Sequence, residues 1–133
     1  THSTAETFAQ KSTALCPTTA IPWPVQPELV GQVQIIVNAT TLGFQGSGQE
    51  ELSAIDEVEM KALQPGTWVM DLIYQPPETP LLRLAQEHGA QTLNGKEMTL
   101  EQAVIAFEKA VQGSAIPSSH SIKSIMQTAS QLL

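Results

Sequence analysis

Three short apolar runs, each leading into a helical pattern, constrain this chain more than anything else in it. Residues 33–37 (VQIIV), 67–74 (TWVMDLIY) and 91–93 (QTL) are rich in β-branched and aromatic side chains and are bounded by turn residues. Runs this short are too brief for helices in such a setting and read as buried strands. Near-continuous apolar strands that alternate with helices predict a parallel sheet with helices on both faces, an α/β architecture. Such sheets bind ligands at the carboxyl ends of their strands. Here those ends are Asn38-Ala39-Thr40, Asp71 to Tyr74, and Asn94-Gly95, and each sets polar or small residues directly after an apolar run.

The helices between the strands carry recognisable start and stop signals. Ser3 with Glu6 reads as a capping box opening a helix over residues 3–13, with Ala5, Phe8 and Ala9 as its apolar stripe. Residues 16–27 are rich in Pro and Thr, with a short strand predicted at 21–23. Pro27 suits the first position of a helical turn through Val30. Asp56 caps a short helix over 56–63, with Glu59 three positions on, and Gln64-Pro65-Gly66 is a turn. Thr79-Pro80 caps a helix that ends at His88-Gly89, with Leu81, Leu82, Leu84 and Ala85 on its apolar side. A longer helix is predicted from Thr99, with Thr99 and Gln102 as a second capping box, Leu100, Val104, Phe107 and Val111 apolar, and Gly113 as its stop. A last amphipathic segment spans 118–133, with Ile122, Ile125, Met126 and Ala129 on one side.

Composition then removes several function classes. The 133 residues suffice for one domain, and a chain of this size buries roughly two-thirds of its unfolded surface. Thirteen acidic residues against six basic ones give a net charge of −7, and Arg83 is the only arginine. That balance supplies no basic footprint for nucleic acid or an anionic membrane. No run reaches the length of a membrane span, and no signal peptide opens the chain. Cys16 is the only cysteine, so neither an internal disulfide nor a cysteine-based zinc cluster forms, and a reducing compartment fits.

The usual engines of chemistry are missing. No G-x-G-x-x-G stands at a strand–helix junction, and no phosphate-binding G-x-x-x-x-G-K occurs. Residues 43–48 (GFQGSG) follow a strand without opening a helix at once, so a plain loop fits them better than a phosphate cradle. His2, His88 and His120 share no ligand spacing with Cys16 or with each other, which predicts no metal site. The serine-rich stretch 114–121 lacks the setting of an activated nucleophile.

The three strand ends carry a family resemblance. Residues 38–44 (NATTLGF) resemble the N-A-T-P-L-G-M motif of shikimate dehydrogenases. Residues 71–82 (DLIYQPPETPLL) resemble that family's D-x-x-Y-x-P-x-x-T-x-L-L, and residues 94–103 (NGKEMTLEQA) its N-G-x-x-M-L-x-x-Q-A. Each motif alone is weak; three in the family's order and spacing are specific. Thr1 looks like the last residue of the family's N-R-T motif, so the resemblance covers nearly the whole chain, least specifically in its last twenty residues.

The resemblance implies a two-domain enzyme that reduces 3-dehydroshikimate to shikimate with NADPH. A substrate domain supplies a catalytic Lys–Asp pair, and a Rossmann-like domain opens on a glycine-rich loop. Neither appears in this chain, which therefore reads as the carboxyl-terminal portion of such an enzyme, with no catalytic residue of its own and inactive alone. Residues 1–113 would be the later part of the NADP-binding domain, and 114–133 a terminal helix packing toward the substrate domain. Soluble cytoplasm is the implied location, with a processed plastid form as the variant.

Position by position, the resemblance implies substrate contacts for Tyr74 and Gln102. It places Thr1, Asn38, Ala39, Thr40, Leu72, Gly95 and Met98 against the cofactor. Plainer readings stand beside these. A strand-end Tyr with a wet tip is common. Gln102 also suits a capping box, Met98 a core gap, and Asn38 the N–H groups of its own loop. Asp71 reads as structural rather than catalytic. The chain departs from the family pattern at Thr41 (usually Pro), Phe44 (usually Met) and Glu97 (commonly Gly). Glu97 sets a carboxylate beside a site for anionic ligands, unfavourable unless it faces water. Thr4 stands where some members carry a base for the adenosine 2′-phosphate, so the NADP preference comes from the resemblance and not from a visible basic clamp.

Two other readings remain open at this stage. One is a relative using quinate or NAD. The other is a non-catalytic interaction module whose incomplete sheet leaves an unpaired edge, open to self-association or to pairing with a chain carrying the missing half.

Overall fold

The computed structural model describes residues 2–111 and 119–130. Thr1, Gly113 and the proposed boundary near residue 114 lie outside the described residues. In chain order the elements are α1 (His2–Ser12), α2 (Pro27–Val30), β1 (Ile35–Asn38), α3 (Glu57–Met60), β2 (Trp68–Asp71), α4 (Pro80–Glu87), β3 (Gln91–Leu93), α5 (Lys96–Ala110) and α6 (Ser119–Ser130). The strands form one parallel sheet in the order β1-β2-β3. Ile35 pairs with Trp68, which pairs with Gln91; Val37 pairs with Met70, which pairs with Leu93.

This register assigns the side chains to two faces, because successive residues of a strand point to opposite sides. Val69 and Ile36 point to the face covered by helices. There Val30, Ile55, Met60, Leu63, Val69, Leu81, Leu82 and Ala85 make one buried cluster. Full burial of side chains such as Met60 and Leu81 contributes about 1.5–3 kcal/mol each. The other face carries Ile35, Val37, Trp68 and Leu93, and all four are exposed, Ile35 at 63% and Val37 at 53%. The expectation of a strand buried on both sides therefore fails for β1. Among the described residues, helices cover one face of the sheet and leave the second open.

Local signals succeed where they are backbone-encoded. Asp56 accepts from the Val58 N–H at 2.8 Å while the Glu59 carboxylate accepts from the Asp56 N–H at 3.2 Å, completing the capping box of α3. Thr79 caps α4 with Pro80 at its first position, as the Thr-Pro pair predicts.

Other expectations need correction. Residues 21–23 form no strand. Helix α1 already includes His2, so Ser3 sits within its first turn rather than ahead of it. Helix α5 starts at Lys96, and the Thr99 N–H donates to the Gly95 carbonyl at 2.9 Å. Thr99 is thus a residue of the helix body and forms no capping box with Gln102. The Asn94 side chain does the early work instead, its Oδ1 accepting from the Lys96 N–H at 3.1 Å. Leu100 and Val104 of α5 and Ile122 of α6 are buried, whereas Phe107 and Ile125 are exposed. Lys123 also binds Glu101 across this helix pair, and the hydrogen bond to Glu101 raises the Lys123 pKa above its ordinary value.

Candidate functional site

All three strands end on the same side of the sheet because they run parallel, which gathers 38–44, 72–80 and 94–95 at one rim. The centre of that rim is a buried polar knot. The Asp71 side chain is 0% exposed. Its Oδ1 accepts from the Asn38 side-chain amide at 3.1 Å and from the Ile73 N–H at 3.0 Å. Its Oδ2 accepts from the Thr79 hydroxyl at 2.7 Å. The Thr79 oxygen in turn accepts from the Leu82 N–H at 3.4 Å, as a helix cap should. A buried carboxylate is tolerated when donors of this kind replace its water.

Asn38, 3% exposed, relays the knot into the first loop. Its Oδ1 accepts from the Thr40 N–H at 3.0 Å and the Thr40 hydroxyl at 2.7 Å, and its amide also donates to the Leu42 carbonyl at 3.4 Å. The Thr40 oxygen then accepts from the Leu42 N–H at 3.2 Å. The Asn38 side chain is therefore committed to shaping its own loop, the plainer of the readings above. What it presents at the rim is the exposed Ala39-Thr40 backbone.

The third loop joins through the main chain. The Leu72 N–H donates to the Asn38 carbonyl at 3.0 Å, and the Gly95 N–H donates to the Ile73 carbonyl at 3.0 Å. Gly95 is buried, and a Cβ placed on it would stand 2.0 Å from the Leu72 carbonyl oxygen. With φ at −75° its conformation suits any residue; only the close approach demands glycine. The Asn94 amide fastens the same loop by donating to the Pro77 carbonyl at 3.0 Å.

The structure thus brings Asn38, Thr40, Leu72 and Gly95 into one bonded unit. Tyr74 follows Ile73 on the same loop; it is exposed and makes no hydrogen bond with another described residue. Met98 and Gln102 lie four residues apart on α5 and so share one helix face, Met98 half-buried and Gln102 exposed. With the Thr99 capping box absent, nothing in the helix cap occupies the Gln102 amide. Glu97 is exposed, which relieves its conflict with an anionic ligand. Thr1 lies outside the described residues.

The glycine-rich loop 43–48 holds an acid instead of offering a phosphate cradle. The Glu50 carboxylate accepts from the Gly46 N–H at 2.8 Å and the Gly48 N–H at 3.2 Å. Hydrogen bonds from its own N–H, then from Gly48 and Gly46, lower the Glu50 pKa below its ordinary value. Gly43, at φ 90°, rests against Pro80 and Thr79 and so leans this loop on the start of α4. Sequence reasoning passed over Glu50 and the role of Thr79 beneath Asp71. The spacing between Asp71 and its Thr-Pro cap was the available signal for the second; the first had none beyond an acid following a glycine cluster.

Among the described residues no group of three or more His, Cys, Asp or Glu side chains could hold a metal ion. No helix of the described residues is long and apolar enough to cross a membrane.

No protein-family model matches the chain. Curated proteins do. Over 87 residues, 65% of the chain and 29% of the relative, it is 41% identical to the NADP(+) shikimate dehydrogenase of Jannaschia sp. (strain CCS1). Shikimate dehydrogenases are its homologues. The chain spans less than a third of the length of that relative. Among solved structures, shikimate 5-dehydrogenase from Listeria monocytogenes, in complex with shikimate and NAD, superposes with a TM-score of 0.70 at 29% identity, over 94% of this chain and 43% of that one. Quinate dehydrogenase from Corynebacterium glutamicum, in complex with NAD, gives 0.71 at 25% identity, over 96% and 43%. The sheet and its helices thus resemble one part of the fold of these dehydrogenases, the likeness that the strand-end motifs imply.

Proposed function

We propose that this chain supplies the later part of the cofactor domain of an NADP-dependent shikimate dehydrogenase, reducing 3-dehydroshikimate to shikimate. The observation that carries the reading is the bonded rim itself. Asn38-Thr40, Leu72 and Gly95, drawn from three motifs far apart in sequence, meet through main-chain contacts at the ligand-binding end of a parallel sheet. The close approach of Gly95 to Leu72 draws two strand ends together without a side chain between them. In this reading Leu72 and Met98 supply an apolar wall that excludes water and orients the planar ring of the cofactor, with the Ala39-Thr40 backbone alongside. NADPH, when bound, supplies the hydride that the substrate carbonyl accepts. The Tyr74 hydroxyl and the Gln102 amide hydrogen-bond the substrate. The proton falls to a Lys–Asp pair on the substrate domain of the whole enzyme, not to a group in this chain.

Residues 1–113 then belong to the cofactor domain, and the segment from 114 packs toward the substrate domain. The free edge of β1 is where further strands of the sheet would pair, and the open face with Ile35, Val37 and Trp68 is where their helices would pack. Cytoplasm is the compartment that suits such an enzyme. Position 4 is Thr and offers no positive charge for a 2′-phosphate, which makes NAD and quinate the natural comparison substrates.

The test is a spectrophotometric assay of the protein translated from the complete reading frame that contains these residues. NADPH oxidation with 3-dehydroshikimate is expected, faster than with NADH or in the quinate direction, and the 133-residue chain alone should not turn over. Turnover by the isolated chain would refute its role as one part of a larger site. Absence of activity in the complete protein, with binding to a separate protein through the open sheet face, would favour an interaction module instead.

A further inference from the structure

Asp71 is buried, and among the described residues no basic side chain pairs with it. An apolar residue would fill the same volume without the cost of burying a charge. What the carboxylate does that an apolar side chain does not is hold three donors from three segments at once. Asn38 ends β1, Ile73 follows β2, and Thr79 starts α4. Each donor carries a piece of the rim. Asn38 shapes the turn with Thr40, and Ile73 receives the Gly95 N–H. Thr79 sets the start of α4, on which Gly43 leans.

We propose that Asp71 is a positioning residue of the cofactor-side rim. Its carboxylate sets the Thr40 turn and the Leu72-Ile73 backbone while touching neither substrate nor cofactor. This rests on the function proposed above. The consequence is specific: weakening the knot displaces backbone that faces the cofactor, so cofactor binding changes more than the chemical step.

Two measurements separate this from a merely structural role. In the protein from the complete reading frame, Asp71→Asn replaces the oxygen that accepts from Thr79 with a donor. The KM for NADPH is expected to rise about tenfold while kcat changes less than about threefold. Thr79→Val gives a smaller rise in the same direction and serves where Asp71→Asn does not fold. Val69→Ala, a core truncation away from the rim, is the control for lost stability and should leave that KM in place. An unchanged KM in folded Asp71→Asn, or an equal rise in Val69→Ala, overturns the proposal.

The second measurement, on the same complete protein, needs no activity. Amide exchange at Thr40, Ile73 and Gly95 should quicken about tenfold in Asp71→Asn relative to the core amides of Met60 and Leu63. Uniform quickening, or none, overturns the hub. If the wild-type complete protein shows no dehydrogenase activity, the function proposed above fails, while the exchange pattern still decides whether Asp71 holds the two loops.

Discussion

The Leu72 carbonyl oxygen lies where a Cβ on Gly95 would have to stand, 2.0 Å from its ideal position, with the Leu72 carbonyl carbon at 2.5 Å. Both neighbours are main chain, so no side-chain rotation relieves the contact. Two strand ends meet backbone to backbone at that point, and the Gly95 N–H to Ile73 bond holds them there.

Gly95→Ala should therefore destabilise the fold by about 2–3 kcal/mol, in the range of overpacked sites that force a backbone shift. Urea unfolding of the two proteins measures it. A difference under about 0.5 kcal/mol, the level of an ordinary surface change, would show that the loops separate freely.

Thr79 performs two tasks with one hydroxyl, donating to Asp71 and accepting from Leu82. Thr79→Val preserves shape and removes both, and a loss of about 2 kcal/mol is expected from the missing cap and the stranded carboxylate oxygen. Thr79→Ser keeps the hydroxyl and should retain most of the stability. Equal losses in the two variants would mean that the methyl group, not the hydroxyl, matters.

Glu50 ties down its glycine loop most strongly when ionised, because the charged carboxylate is the better acceptor for the Gly46 and Gly48 N–H groups. Its folded pKa is depressed, so its contribution to stability is present above the ordinary carboxylate value of 4.5 and disappears as pH falls through the lowered folded value. Wild type and Glu50→Gln should differ in stability at neutral pH and converge in acid. A gap that persists at the lowest pH at which both remain folded would assign the loop to packing instead.

Tyr74→Phe and Gln102→Ala test the substrate contacts in the complete enzyme. Loss of one hydrogen bond that strengthens toward the transition state should lower kcat/KM about 10- to 100-fold, with thermal stability unchanged because both side chains are exposed. Unchanged kinetics in both variants would remove these residues from the site.

The sheet face was the least legible part of the fold. Ile35 and Val37 read as buried because a β-branched run reports strand propensity and apolarity, not which neighbour covers each side. The start of α5 was misplaced because Thr99-Gln102 is a sound local cap signal, overridden here by Asn94. Met98 and Gln102 could be named but not given a common face until that start was known.

By itself the sequence determined the alternation of strands and helices, the α3 and α4 caps, the strand ends that carry the motifs and the family those motifs resemble. These are encoded by periodicity and by residues acting on their immediate neighbours. Only the tertiary structure decided that Asn38, Asp71 and Thr79 share one knot and that Gly95 is a steric necessity. It also decided that Glu50 occupies the glycine loop and that, among the described residues, one sheet face stays open. Hydrogen bonds and close approaches between Asn38 and Asp71, or Leu72 and Gly95, join residues whose separation in sequence leaves no periodic trace.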